Sequence, residues 1–78
     1  MKQEHLELVQ LDMTVFEIFP LTKGNKTKLC KLVDKEIGVD YEINEDDREY
    51  DIVIFDVEEQ SEIELIEKFV TDINEKLH

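Results

Sequence analysis

The stretch VDYEINEDDREYDIVIFDV, residues 39–57, decides the fold of this 78-residue chain because it predicts a β-hairpin. Val39, Tyr41 and Ile43 alternate with polar residues, which is the period-two pattern of a strand with one apolar face. The run at 50–57 is almost continuously apolar, as in strands that are buried on both faces. The six residues NEDDRE between the two strands are predicted to form the hairpin loop.

Helical periodicity lies on both sides of this hairpin. After it, Ser61 and Glu64 predict a capping box at the start of an amphipathic helix. The apolar positions of that helix are Ile63, Leu65, Ile66, Phe69, Val70, Ile73 and Leu77. Before the hairpin, residues 21–38 predict a loop and a helix, with Asn25 or Thr27 as N-cap and Gly38 just past the end. Its apolar stripe is Leu29, Val33 and Ile37, with Cys30 beside it.

Residues 5–19 are rich in β-branched and aromatic types and are predicted to form one strand. The alternation slips at Leu8–Val9 and at Val15–Phe16, and a β-bulge would explain each slip. Pro20 is expected to end the strand. A helix over the same residues is the alternative, because some of the apolar positions also fit a helical stripe.

Together these elements predict a single acidic domain over residues 1–78, of the α/β (α+β) two-layer class with the order βαββα. The first crossover is expected to make strands one and two parallel. The result is a small three-stranded mixed sheet with two helices on one face. Because the first strand is apolar on both sides, it is expected either to lie centrally or to contact a second copy of the protein.

Composition points to the cytoplasm. Cys30 is the lone cysteine, so no disulfide framework exists. Residues 1–10 lack the apolar region of a signal peptide, and no apolar run approaches the roughly 20 residues of a membrane span.

Negative charge is concentrated in one part of the chain. The formal net charge is −12, and residues 40–67 hold thirteen acids against one base, Arg48. Residues 20–36 hold five lysines and two acids. Such a chain is repelled by nucleic acid and by anionic membranes and is attracted to basic proteins. We expect the lysines of residues 23–35 to solvate a helix face or to pair with acids, of this chain or of a second subunit.

A calcium site is the metal alternative for the acidic stretch. Six residues fall at the ligand positions of an EF-hand loop: Asp40, Glu42, Asn44, Asp46, Arg48 and Asp51. The sixth position has Glu45 in place of the required glycine, and the twelfth has an aspartate in place of a bidentate glutamate. We therefore expect no metal.

Motifs for catalysis and for cofactor binding are missing from the sequence. It has no glycine-rich phosphate loop and no Ser/His pattern, and no histidine is placed to activate Cys30. We expect no enzyme activity and no cofactor, and we expect Cys30 to be a small buried apolar residue.

Solvation explains part of the acidic excess, and mimicry of DNA phosphates is the functional alternative. The stretches DYEINEDDREYD (40–51) and VEEQSEIE (57–64) place carboxylates in regular rows. In this composition the chain resembles the small acidic proteins with which phages disable host factors, a group that includes DNA mimics. The resemblance implies a target in the host cytoplasm, namely a basic DNA-binding protein such as the nucleoid protein HU, a nuclease or a polymerase subunit.

The leading hypothesis is therefore a non-enzymatic inhibitor that occupies the DNA-binding face of another protein. Ten acidic residues are predicted to make the contacts: Asp40, Glu42, Glu45, Asp46, Asp47, Glu49, Glu58, Glu59, Glu62 and Glu64. The alternative is a structural or adaptor module that forms a homodimer through its first strand or last helix, with acids that serve solubility only.

Overall fold

A computed structural model describes residues 2–77 as a four-stranded sheet with two helices. The strands are β1 (Glu7–Asp12), β2 (Val15–Leu21), β3 (Tyr41–Asp46) and β4 (Glu49–Ile54). The helices are α1 (Lys23–Leu32), which a π-helical segment (Val33–Ile37) continues, and α2 (Gln60–Glu75). The strand order is β1-β2-β4-β3, so β1 and β3 are the edge strands. The predicted α+β class with two helices is confirmed. Neither helix in residues 2–77 combines the length and apolar composition needed to cross a membrane.

The predicted βαββα order is wrong, because residues 5–19 form a hairpin and not one strand. The observed order is ββαββα. The chain reverses at Met13 and Thr14, where the Met13 N–H donates to Asp12 Oδ1 at 2.7 Å. This reversal accounts for the slip at Val15–Phe16, and the helical alternative is also wrong. The one irregularity in the β1–β2 pairing lies between Gln10 and Asp12, not at Leu8–Val9.

The prediction of a mixed sheet is wrong as well. Strands β2 and β3 run in the same direction, but β4 lies between them and is antiparallel to both. Pro20 does not end its strand: it lies inside β2, where the pairing with β4 is irregular between Ile18 and Leu21. Proline has no N–H to donate, and an interrupted ladder does not require one.

The predicted hairpin of residues 39–57 is confirmed, with a tighter turn than expected. β3 and β4 pair from Tyr41–Ile54 to Asp46–Glu49, so most of the predicted six-residue loop belongs to the strands. Asp47 and Arg48 form the turn, with φ angles of 48° and 74°. Two positive φ angles are characteristic of the type I′ turn, whose twist matches that of the strands it joins.

The core lies between one face of the sheet and the two helices. Phe16 and Ile18 of β2 and Ile52 and Ile54 of β4 point towards it. The helices contribute Leu29, Val33, Ile66 and Val70, as their apolar periodicity predicts. Because both helices pack on this side, the alternate strand residues form an open face. The open face is the side of the sheet on which Glu17 and Val53 lie.

Both helices begin at residues other than those predicted, whereas the predicted glycine at the end of the first helix is confirmed. The N-cap of α1 is Thr22, whose Oγ1 accepts a hydrogen bond from the Asn25 N–H at 3.3 Å. Gly38 ends the π-helical segment in the left-handed conformation, with φ of 75°, as predicted. Helix α2 begins two residues earlier than a Ser61–Glu64 capping box would require, so that pair lies within it.

The segment before β1 is tied to both layers. The Gln3 amide donates to the Pro20 carbonyl at 2.6 Å and accepts from the Thr22 N–H at 3.0 Å. The Asn74 side chain of α2 accepts from the Leu6 N–H at 2.7 Å and donates to the Leu6 carbonyl at 3.1 Å. These paired hydrogen bonds hold Leu6 in the core.

Candidate functional site

Six of the ten predicted contact residues lie in the acidic hairpin, which we define as residues 40–51. Glu42 and Asp46 lie on the open face, since they pair with Val53 and Glu49 of β4. Glu45 pairs with Tyr50 and therefore lies on the helix side. The other three are Asp40, just before β3, Asp47 in the turn and Glu49 at the start of β4. All are exposed except the half-buried Glu49.

The other four predicted residues lie around the start of α2, beyond the opposite end of β4. Six strand residues span roughly 20 Å, so the two groups lie at different ends of the sheet. Asp40 is the hairpin residue nearest to the second group, because its carbonyl accepts a hydrogen bond from the Phe55 N–H at 2.9 Å. The structure therefore does not bring all ten residues into one patch.

Glu62 has a structural function in the second group. Its Oε1 accepts hydrogen bonds from the Glu59 N–H at 3.0 Å and from the Glu58 N–H at 3.2 Å. A glutamate at the third helical position commonly caps a helix in this way. This half-buried carboxylate is thus less available to a partner than Glu58, Glu59 and Glu64, which are exposed.

Charge is divided between the two layers. The strands carry eight acids, two in β1, one in β2, three in β3 and two in β4, and no lysine or arginine. The nine lysines and arginines lie in the helices, the loops and the turn. Within residues 2–77, one lysine pairs with a carboxylate: Lys68 Nζ lies 3.1 Å from Asp72 Oδ2 on α2. The α1 lysines therefore do not neutralise the acids of the sheet through direct ion pairs.

Lys26 of α1 contacts the hairpin. Its Nζ lies 4.6 Å from the centroid of the Tyr50 ring, which is a cation–π distance. The other lysines of residues 23–35 are exposed, as expected of a solvated helix face.

Two acidic residues outside the ten predicted contact residues lie at the centre of the open face. Glu17 pairs with Val53, and Asp51 lies two residues before Val53 on the same side of β4. Burial and, secondarily, the neighbouring Glu17 carboxyl raise the pKa of Asp51 from 3.8 to about 6. Asp51 Oδ1 is buried and has no hydrogen-bond partner. Finding this pair requires the register of β2 against β4, which sequence periodicity does not give.

An open cavity of about 360 Å³ lies beside these carboxylates, where the pairing of β2 with β4 is irregular. Its apolar lining comes from Phe19, Pro20 and Tyr50. Asp46, Glu49 and Asp51 contribute acidic groups. Carboxylates next to aromatic and apolar surface suit a cation with an apolar stem.

The geometry of the hairpin does not fit a calcium loop. The first candidate ligands follow alternate positions of an extended segment, so Asp40 and Asp46 lie roughly 20 Å apart. An EF-hand loop instead wraps its ligands around one ion at 2.3–2.6 Å. No group of three or more His, Cys, Asp or Glu residues within residues 2–77 is arranged to hold a metal ion.

Cys30, which was predicted to be a small buried apolar residue, is half-buried and packs against the core. Nearby, the Tyr41 hydroxyl donates to Asp34 Oδ2 at 3.2 Å. Burial, then Cys30 and Asp34, raise the pKa of Tyr41 to about 12. This phenol therefore stays protonated at neutral pH and links β3 to the π-helical segment.

Comparisons with protein-family models, with curated proteins and with solved structures found no match to this chain.

Proposed function

We propose that this protein is a non-enzymatic inhibitor that binds the basic, DNA-binding face of another protein in the cytoplasm. The observation that carries the proposal is the uncompensated acidity of the strand layer, with eight acids and no lysine or arginine. A negative surface of this kind attracts basic surfaces and speeds their association. Lysines and arginines that bind phosphates also bind carboxylates. Targets of the proposed class are a nucleoid protein such as HU, a nuclease or a polymerase subunit.

A competition experiment tests the proposal directly. Purified HU, a non-specific nuclease and a DNA polymerase subunit are each loaded with a short fluorescent DNA duplex, and the acidic protein is titrated in while anisotropy is followed. We expect displacement of DNA from at least one target. The effect should fade with salt, because the Debye length falls from about 10 Å at 0.1 M to about 3 Å at 1 M. Polyglutamate of the same net charge, −12, is the control for charge without fold. Equal displacement by polyglutamate, or none by the protein, would refute the proposal.

Charge reversal then locates the contact. The double variant Asp46→Lys, Asp47→Lys changes two exposed residues of the acidic hairpin. Glu67→Lys, Glu75→Lys makes the same change in net charge at exposed positions of α2. We expect the hairpin variant to associate more slowly by about tenfold and the helix variant by much less. An equal effect of both variants would mean that only net charge matters.

Homodimerisation is the second candidate, and the first hairpin favours it. Leu11 and Met13 are 52% and 84% exposed, and Val9 is 37% exposed. Sedimentation equilibrium distinguishes a monomer of 9.3 kDa from a dimer. A dimer that Leu11→Asp dissociates would support this adaptor function, whereas a monomer at all concentrations would exclude it.

A further inference from the structure

The open face of the sheet alternates apolar and acidic residues. Val53 of β4 pairs with Glu17 of β2 and with Glu42 of β3, and Glu17 also pairs with Val9 of β1. One row across all four strands thus alternates valine and glutamate. Phe19 and Asp51, which also lie on the open face, are half-buried although both helices pack on the other side of the sheet. The open face therefore offers apolar contact area together with negative charge.

A second copy of this chain does not suit the open face. Two copies placed face to face would bring Glu17, Glu42 and Asp51 of each against like charges, with no strand lysine or arginine to compensate them. Like charges placed opposite each other at an interface strongly oppose association. Charge complementarity instead favours a partner segment that carries basic residues between apolar ones.

The cavity beside Asp51 provides the position for one such basic residue. Its volume of about 360 Å³ is at the small end of the ~300–1,000 Å³ that ligand pockets occupy. The buried Asp51 Oδ1 lacks a donor, and a buried acceptor left in that state is destabilising. An ammonium or guanidinium group supplies both a donor and a positive charge. The alkyl stem of that side chain would pack on Phe19 and Pro20.

From this arrangement we infer that the open face receives a basic segment of the partner protein, one lysine or arginine of which enters the cavity and pairs with Asp51. The inference rests on the proposed function, because it requires a basic partner. It adds a contact surface centred on Glu17, Val53 and Asp51, none of which is among the ten predicted contact residues.

A single arginine side chain is a sufficient probe of the cavity. N-acetyl-arginine methylamide is titrated into ¹⁵N-labelled protein, and amide shifts are followed by NMR. The neutral isostere N-acetyl-citrulline methylamide is the control. We expect saturable shifts at Phe19, Tyr50 and Asp51 with arginine, little effect with citrulline, and loss of the arginine effect in Asp51→Asn. Shifts of the same size throughout the acidic hairpin and the start of α2, with no maximum at Phe19, Tyr50 and Asp51, would overturn the inference, and so would equal shifts with both compounds.

The DNA-competition experiment separates this inference from the proposed function. In the protein that the wild type displaces from DNA, we expect Asp51→Asn to weaken binding by about tenfold, since the lost contact is a charge-assisted hydrogen bond. Glu67→Gln removes one exposed charge on α2 and should change binding less than twofold. Displacement that Asp51→Asn leaves unchanged would overturn the inference and leave the proposed function standing. Failure of the wild type to displace DNA, together with saturable arginine binding, would refute the proposed function and leave a cation site.

Discussion

Replacing Asp51 with asparagine should stabilise the fold at neutral pH, although it removes a native charge. The pKa of Asp51 is about 6 in the folded protein, against 3.8 for the ordinary group, so folding favours the protonated form. The protonated Asp51 carboxyl therefore stabilises the fold at low pH, and this stabilisation is lost as the pH rises from 3.8 through about 6. Asparagine keeps the shape of the protonated carboxyl, has no proton to lose, and can donate to Glu17.

The size of the effect follows from the distance between the two pKa values. Each pH unit corresponds to about 1.4 kcal/mol, so the interval from 3.8 to about 6 gives at most about 3 kcal/mol. Asp51 is only half-buried, and water screens its charge, which reduces the figure to about 1–2 kcal/mol. About half of this contribution to the free energy of unfolding is lost between pH 5 and pH 7, that is, about 0.5–1 kcal/mol.

Urea denaturation followed by far-UV circular dichroism measures the effect at pH 7 and at pH 5. With a slope of about 1 kcal/mol per molar urea, Asp51→Asn should raise the midpoint by about 1–2 M at pH 7 and by about half as much at pH 5. Glu42→Gln removes one exposed charge from the same face and should change stability by less than about 0.5 kcal/mol. A variant less stable than wild type at pH 7, or an advantage equal at both pH values, would refute the reasoning.

Two further changes test the fold by thermal or urea denaturation. Gly38→Ala should lower the free energy of unfolding by about 1 kcal/mol, because φ is 75° at this position. Gly24→Ala in α1 should raise it by up to about 1 kcal/mol, because alanine favours a helix and no atom lies within 4 Å of the added Cβ. Equal effects of the two variants would contradict the backbone conformations described for both glycines. Asn74→Ala should cost about 1–3 kcal/mol because it leaves the backbone groups of Leu6 without their partners, and faster hydrogen exchange at the Leu6 amide would show that this contact is the cause.

Helices and strands with a clear periodicity of apolar residues were predictable from the sequence, and connections that lack turn-forming residues were not. The strands at 39–57 and the helix around Ile66 were predicted because their apolar residues repeat at the right spacing. The chain reversal at Met13–Thr14 was missed because neither glycine nor proline marks it, and the fourth strand was missed with it.

The candidate functional site was also predictable only in part. The acidic hairpin was evident because its residues are adjacent in the sequence. The Glu17–Asp51 pair and the cavity were not, since they depend on how β2 aligns with β4 and on an irregularity at Pro20. The capping function of Glu62 was missed because the start of α2 was placed two residues too late.

The position of β3 at the edge of the sheet sets how this protein tolerates acid. An edge strand leaves one row of backbone N–H and C=O groups open to pairing with another chain, and charged side chains discourage such pairing. Glu42, Glu45 and Asp46 provide that protection on β3. Near the isoelectric point of about 4.4 the net charge of the protein approaches zero and the repulsion between molecules weakens, while protonation of Asp51 favours the folded state. Acid therefore removes a protection against aggregation while Asp51 continues to favour the folded state, so the first acid-induced species should be assemblies of folded molecules joined strand to strand.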